Sequence, residues 1–182
     1  MKITGTNIEG LVILEPKVFG DARGYFMETF QKDTFNSNVT ETEFIQDNES
    51  KSSRGVLRGL HFQLPPYQQA KLVRVIEGEV LDVAVDLRKD SKTYGQHYSI
   101  LLSSVNKKQF FIPRGFAHGF VVLSETAIFS YKVDNIYAPT HDFGIMWNDE
   151  TLNIDWQIAN EMINLSEKDK NLSTFRDFNS PF

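Results

Sequence analysis

The 182-residue chain contains no cysteine, which excludes disulfides, thiolate nucleophiles and Cys-ligated zinc or iron–sulfur sites. Only four histidines are present, so any metal would have to be held by imidazole and carboxylate alone. Excess positive charge is lacking as well. Nineteen Lys and Arg stand against twenty-four Asp and Glu, a formal net charge of −5, and the basic residues are scattered rather than gathered in a stripe. Nucleic acid is therefore a disfavoured partner. No run approaches the roughly 20 apolar residues that a membrane span requires, and Met1-Lys2-Ile3-Thr4-Gly5-Thr6 has no apolar signal region. A soluble, unexported, cytoplasmic protein is the expectation. Repeats, low-complexity tracts and Pro/Gly/Ser linkers are missing too, so residues 1–182 are expected to form a single domain.

Aromatic residues are plentiful, with fifteen Phe, six Tyr and two Trp. Flat rings suit pleated sheets and cavities that stack on flat ligands. Short apolar or alternating runs recur along the whole chain: Leu11–Leu14, Tyr25–Phe30, Glu43–Gln46, Val56–Gln63, Lys71–Ile76, Val80–Leu87, His97–Leu102, Gln109–Ile112, Gly119–Leu123, Ala127–Val133 and Gly144–Trp147. In Val80–Leu87, the residues Leu81, Val83, Val85 and Leu87 alternate with Asp82, Ala84 and Asp86, a period of two that buries one strand face. Gly20-Asp21, Pro65-Pro66, Glu77-Gly78-Glu79 and Pro113-Arg114-Gly115 punctuate the runs as turns. Helical periodicity is confined to Lys32–Asn36 and Ile158–Ile163. The pattern predicts an all-β sandwich or barrel; a double-sheet jelly roll with short peripheral helices leaves a mouth between its sheets for a ligand.

Arg54-Gly55-Val56-Leu57-Arg58-Gly59-Leu60-His61-Phe62-Gln63 places two Arg and one His inside an otherwise apolar strand. A satisfied core histidine beside surface arginines is one reading; a polar site is the other. Strict alternation puts Arg58 and His61 on opposite faces, so a shared site needs a bulge, expected at Gly59. Pro113-Arg114-Gly115-Phe116-Ala117-His118 resembles the second motif of cupins, in which a turn feeds a His-bearing strand. Metal-binding cupins pair it with His-x-His and a following Glu. Here His61-Phe62-Gln63 offers the poor ligand Gln63 in place of the second imidazole, and Gln69, Ala70 and Lys71 stand where the Glu is expected. A cationic Lys71 would repel a metal. No metal and no cofactor are expected, which leaves His61 for proton transfer.

A base without metal needs an orienting group, an electrophile for the developing anion and an acid on the far side. Lys71, at the head of a Val- and Leu-rich strand, reads either as an electrophile or as a snorkelling surface lysine. Tyr131 shares an apolar face with Phe129 and Val133 and reads either as an acid or as a core aromatic. Asp169, in Leu165-Ser166-Glu167-Lys168-Asp169, looks like part of a solvated turn.

An ordered set of segments closely resembles the dTDP-4-dehydrorhamnose 3,5-epimerase family, a cupin-fold group. It comprises Asp21-Ala22-Arg23-Gly24-Tyr25-Phe26, Gln46-Asp47-Asn48, Arg58-Gly59-Leu60-His61-Phe62-Gln63, Lys71-Leu72-Val73, Pro113-Arg114-Gly115-Phe116-Ala117-His118-Gly119-Phe120, Tyr131-Lys132-Val133-Asp134 and Leu165-Ser166-Glu167-Lys168-Asp169. The resemblance implies that His61 is the base, Asp169 its orienting carboxylate and Tyr131 the acid on the opposite face of the sugar ring. Lys71, with His118, would stabilise an oxyanion at C4. The implied substrate is a dTDP-linked 4-keto-6-deoxy sugar, converted within dTDP-L-rhamnose biosynthesis. Arg23, Glu28, Gln46, Asp47, Asn48, Arg58, Asp142 and Lys168 match substrate-contacting positions, the arginines suiting a diphosphate. Tyr137 matches the residue that stacks on thymine. The resemblance also implies a homodimer whose exchanged N-terminal strand carries Arg23 and Glu28 to the neighbouring site. Ile136 stands where many relatives have a second aromatic, and Phe143 and Met146 where many are basic. A single-carbon epimerase acting on a related nucleotide sugar and a non-catalytic sugar-binding cupin are the competing expectations. The tail Lys170–Phe182 carries no signal.

Overall fold

The computed structural model describes residues 1–182. Thirteen strands follow in order: β1 (Lys2–Gly5), β2 (Val12–Glu15), β3 (Val18–Asp21), β4 (Gly24–Met27), β5 (Gln46–Ser53), β6 (Leu57–Gln63), β7 (Lys71–Glu77), β8 (Glu79–Asp86), β9 (His97–Ser103), β10 (Gln109–Ile112), β11 (Phe116–Val122), β12 (Thr126–Val133) and β13 (Asp142–Gly144). One α-helix, α1 (Lys32–Asn38), lies between β4 and β5. A six-stranded sheet runs β1-β2-β10-β7-β12-β5 and a five-stranded sheet runs β13-β6-β11-β8-β9, while β3 and β4 pair only with each other. This is the all-β, cupin-like double-sheet fold that the strand pattern predicts, with short helices at its periphery.

Between the sheets, Val73, Val75, Val80, Ile100, Leu102, Phe110, Ile112, Phe120, Val122 and Phe129 belong to the main buried cluster. Phe120 on the five-stranded sheet stacks on Phe129 of the six-stranded one, with ring centroids 4.1 Å apart and planes at 15°. That pair ends the apolar filling and forms the floor of the open end of the sandwich. A second cluster lies on the outer face of the five-stranded sheet, where Leu57, Leu60, Phe62, Leu81, Val83, Val85 and Val121 pack under C-terminal residues including Leu152 and Trp156. Both faces of β8 are consequently buried. Asp82 and Asp86, on the face opposite Leu81, Val83 and Val85, are fully enclosed. Asp86 is satisfied by Arg88, Ser91 and Thr93; burial pushes its pKa up, but these donors outweigh it and bring the carboxyl down to about 2.

The tail has a structural role that the sequence did not reveal. Phe178 and Phe182 pack on Phe62 at centroid distances of 4.9 and 6.0 Å, and Phe182 O accepts from Lys89 N–H at 2.9 Å. On the other side, α1 buries Phe35 against Phe111, Phe30 and Phe44. Predicted strands Glu43–Gln46 and Gly144–Trp147 are displaced to β5 and β13, and Ile158–Ile163 contains only a 3₁₀ turn at Asn160–Met162. Strand β5, Gln-Asp-Asn-Glu-Ser-Lys-Ser-Ser, has no apolar residue. It is a sheet edge held by backbone pairing to β12 alone, so periodicity could not reveal it.

Candidate active site

The bulge expected at Gly59 is present. His118 faces His61 and Phe120 faces Arg58, so two residues on β6, Gly59 and Leu60, lie opposite one on β11, Gly119. The extra residue turns Arg58 and His61 to the same, inner face. Gly59 has φ +120°, and a Cβ there would lie 2.6 Å from Gly119 Cα and 2.7 Å from His118 O, a space that no side chain fits.

Above the Phe120–Phe129 floor opens a cavity of about 470 Å³, to which His61, Lys71, His118, Tyr131, Asp169 and Arg58 contribute walls. Two sheets supply opposed groups. His61 on β6 and His118 on β11 belong to the five-stranded sheet, whereas Tyr131 on β12 and Lys71 on β7 belong to the six-stranded one. Residues Asn164–Ser166 and the 3₁₀ turn Asp169–Asn171 close a third side. That segment is fixed to β6, since Leu57 N–H donates to Asn164 O at 3.0 Å and Asn164 N–H to Gly55 O at 2.8 Å.

Asp169, expected in a solvated turn, is buried and hydrogen-bonds His61 Nε2. Burial raises its pKa, but the bond from His61 and the charges of His61 and Lys168 outweigh that and hold the carboxyl below its ordinary value. With Asp169 ionised, the bond keeps a ring proton of His61 on Nε2 and leaves Nδ1 as the nitrogen that can take a proton. His118 makes a parallel pair with Asp82 at 2.9 and 3.1 Å. Its pKa is pushed down by burial, against the attraction of Asp82. Asp82 is the residue that sequence reasoning missed, because alternation along β8 marks one buried face and the structure buries the other as well. Burial also lowers the Lys71 ammonium to about 8, with Asp82 and Asp142 pulling upward and Lys168 pushing downward. Tyr131 is raised, chiefly by burial, and so remains a protonated phenol at neutral pH.

The remaining predicted residues are distributed around this centre. Arg58 bonds Ser52 Oγ at 3.1 and 3.3 Å. In the β5–β12 register, Gln46 and Asn48 share the inner face with Val133 and Tyr131. Asp47 points to the opposite face, where Lys132 Nζ holds it at 2.8 Å. Asp142 Oδ2 accepts from Tyr137 Oη at 2.9 Å and from Lys168 Nζ at 2.5 Å. Arg23 and Glu28 are exposed and do not reach this cavity; Arg23 instead pairs with Asp21 at 2.6 Å on the β3–β4 hairpin. Across the chain, no three His, Asp or Glu side chains converge as a metal-binding set.

Residues 5–177 match the family model described as dTDP-4-dehydrorhamnose 3,5-epimerase. The chain belongs to this family. The curated dTDP-4-dehydrorhamnose 3,5-epimerase of Shigella flexneri is 52% identical over 178 residues, 97% of each chain. Among solved structures, the dTDP-4-dehydrorhamnose 3,5-epimerase of Elizabethkingia anophelis aligns with a TM-score of 0.94 at 52% identity, over 97% of both chains. The Legionella pneumophila dTDP-6-deoxy-D-glucose-3,5-epimerase, solved in complex with dTDP-4-keto-L-rhamnose, aligns with a TM-score of 0.94 at 46% identity, over 98% of this chain and 94% of that one. The protein is thus an isomerase of the dTDP-sugar epimerase family.

Proposed function

We propose that the enzyme inverts C3 and C5 of dTDP-4-dehydro-6-deoxy-D-glucose to give dTDP-4-dehydro-L-rhamnose, with His61 removing each proton and Tyr131 returning one on the other face. The observation that carries this reading is the opposition of a carboxylate-oriented imidazole on one sheet and a protonated phenol on the other, across one cavity. A sugar ring held between them loses a proton on one side and gains one on the other, which is inversion.

In each half-reaction His61 Nδ1 takes the proton from the carbon next to the C4 carbonyl. The C–H pair becomes the enolate double bond and the carbonyl π pair moves to O4. Protonated Lys71 neutralises that oxyanion. Neutral His118, whose Nε2–H is given to Asp82, has only an accepting nitrogen left; it suits a sugar hydroxyl, and the positive charge beside O4 falls to Lys71. The Tyr131 hydroxyl then protonates the carbon, the carbonyl reforms, and solvent resets imidazolium and phenolate. The ketone is its own electron sink, so no step as written calls on a metal or redox cofactor. Arg58 on the cavity wall and Lys168 at its rim suit the diphosphate, and exposed Tyr137 offers its ring to thymine.

The β3–β4 hairpin carries exposed Phe19, Tyr25 and Phe26, the last 69% open, and pairs with no other strand of its own chain. This supports a homodimer in which the hairpin brings Arg23 and Glu28 to the other subunit's cavity; a monomeric mass by analytical ultracentrifugation would remove the assignment. The single fold unit 1–182 is the protomer in that assembly.

Incubation with dTDP-4-keto-6-deoxyglucose in D₂O, followed by NMR, tests the reaction. Deuterium at both C3 and C5 with formation of dTDP-4-dehydro-L-rhamnose is the expected result, and label at one carbon alone would demote the enzyme to a mono-epimerase. The same assay carries a pH prediction. Lys71 must be protonated to neutralise O4, and its pKa is about 8, so turnover falls as pH rises through that value. Lys71→Arg keeps its charge at all accessible pH and should flatten this alkaline limb; an unchanged limb in that variant would assign it to another group.

A further inference from the structure

We propose that Gln63 is a positioning residue for nucleotide recognition: its buried amide holds the backbone on both sides of Tyr137 and thereby sets the ring on which the base stacks. The proposal rests on the reading of Tyr137 as the thymine platform. It concerns a residue that takes no part in the proton transfers.

Gln63 is the last residue of β6 and is 5% exposed. Its Nε2 donates to Tyr67 O at 2.6 Å and to Ile136 O at 3.0 Å, and its Oε1 accepts from Ala138 N–H at 2.6 Å. Both amide donors are therefore used, and all three partners are backbone groups of two loops. Ile136 and Ala138 flank Tyr137, a residue that is 57% exposed and whose hydroxyl is tied to Asp142 Oδ2 at 2.9 Å. Hydrogen bonds at both ends thus hold a side chain that has little packing around it. Neighbouring amides brace the same loops, with Gln69 Nε2 on Asn135 O at 2.8 Å and Asn135 Nδ2 on Pro66 O at 3.1 Å.

Only an amide fits this place. A carboxylate of equal length could accept from Ala138 but would face the two carbonyls with no proton to give. An imidazole lacks the reach and the second donor on one atom. The position that resembles a cupin metal-ligand site is thus committed to bracing the loop that carries Tyr137. Fixing the ring before the base arrives lowers the ordering cost of binding.

The test is a double-mutant cycle on dTDP affinity by titration calorimetry, with KM and kcat measured in parallel. Base–aromatic stacking is worth about 1–3 kcal/mol, so Tyr137→Ala should weaken dTDP binding by roughly fivefold to 150-fold. Gln63→Met, similar in volume but without the donors, should weaken it by about fivefold to tenfold, raising KM with little change in kcat. Gln63→Glu, which keeps the acceptor for Ala138 and loses both donors, should do the same and gives an independent reading should the methionine variant fold poorly. The double variant Gln63→Met/Tyr137→Ala should bind dTDP no more weakly than Tyr137→Ala alone. Additive losses would overturn the proposal. Loss in Tyr137→Ala with none in either Gln63 variant would overturn it and leave the platform reading standing. Loss in the Gln63 variants with none in Tyr137→Ala would remove both.

Discussion

Replacing His61 with alanine is expected to abolish solvent exchange at both C3 and C5, with turnover falling by at least the 10²–10⁴-fold, roughly, that a positioned base contributes. The expectation of a single base for two carbons comes from the way the five-stranded sheet is built. Only two imidazoles face the cavity from that side, and His118 is committed through Nε2 to fully buried Asp82, with its basicity lowered by burial. His61 is different: its side chain is 29% exposed and can return its proton to solvent between cycles. Asp169→Asn should cost less than His61→Ala, because it removes the charge that stabilises the imidazolium while the ring stays in place. Retention of exchange at one carbon in His61→Ala would mean that a second base serves that carbon. The fold should be unaffected, since His61 is half-buried at a cavity wall and removing its ring opens no void in the apolar core.

How much of this was legible beforehand varied with the kind of information each residue carries. The double-sheet architecture followed from strands such as Lys71–Ile76 and Ala127–Val133, whose apolar faces the structure buries between the sheets. Gly59 was legible as a bulge because Arg58 and His61 could share a site in no other way. Strand β5 was not, because an edge strand made entirely of polar residues obeys no apolar period. Asp82 was not singled out, since alternation marks one buried face and cannot register that the cavity side of β8 is enclosed too. Asp169 lies 108 residues from His61; a contact of that separation depends on the C-terminal segment crossing β6, which local pattern does not encode. The family resemblance supplied it, and the geometry gives it a physical reason. The tail looked uninformative because its apolar residues are dispersed, yet Phe178 and Phe182 cover the outer face of the sheet that carries His61.

Tyr131→Phe is the variant that separates proton removal from inversion. The phenylalanine ring keeps the packing of Tyr131 against the main core cluster and beside Phe129, at a centroid distance of 6.1 Å, so stability should change by less than about 1 kcal/mol. What disappears is the hydroxyl on the six-stranded side of the cavity. His61 and Asp169 still form the enolate, and Lys71 still holds its charge, so the intermediate has one proton source left: the imidazolium on the face from which the proton departed. Return from that face restores the original configuration. Because the His61 side chain is partly open to solvent, the returned proton is drawn from D₂O. The expected outcome is deuterium uptake at C3 and C5 with retention of configuration, and epimer formation reduced by on the order of 10²-fold or more relative to uptake. Burial raises the pKa of Tyr131 while Arg58 opposes the rise, so in the intact enzyme the phenol waits protonated and the nearby guanidinium steadies the phenolate that forms. Equal loss of uptake and inversion in Tyr131→Phe would place the hydroxyl in enolate formation instead, and the division of labour between the two sheets would fail with it.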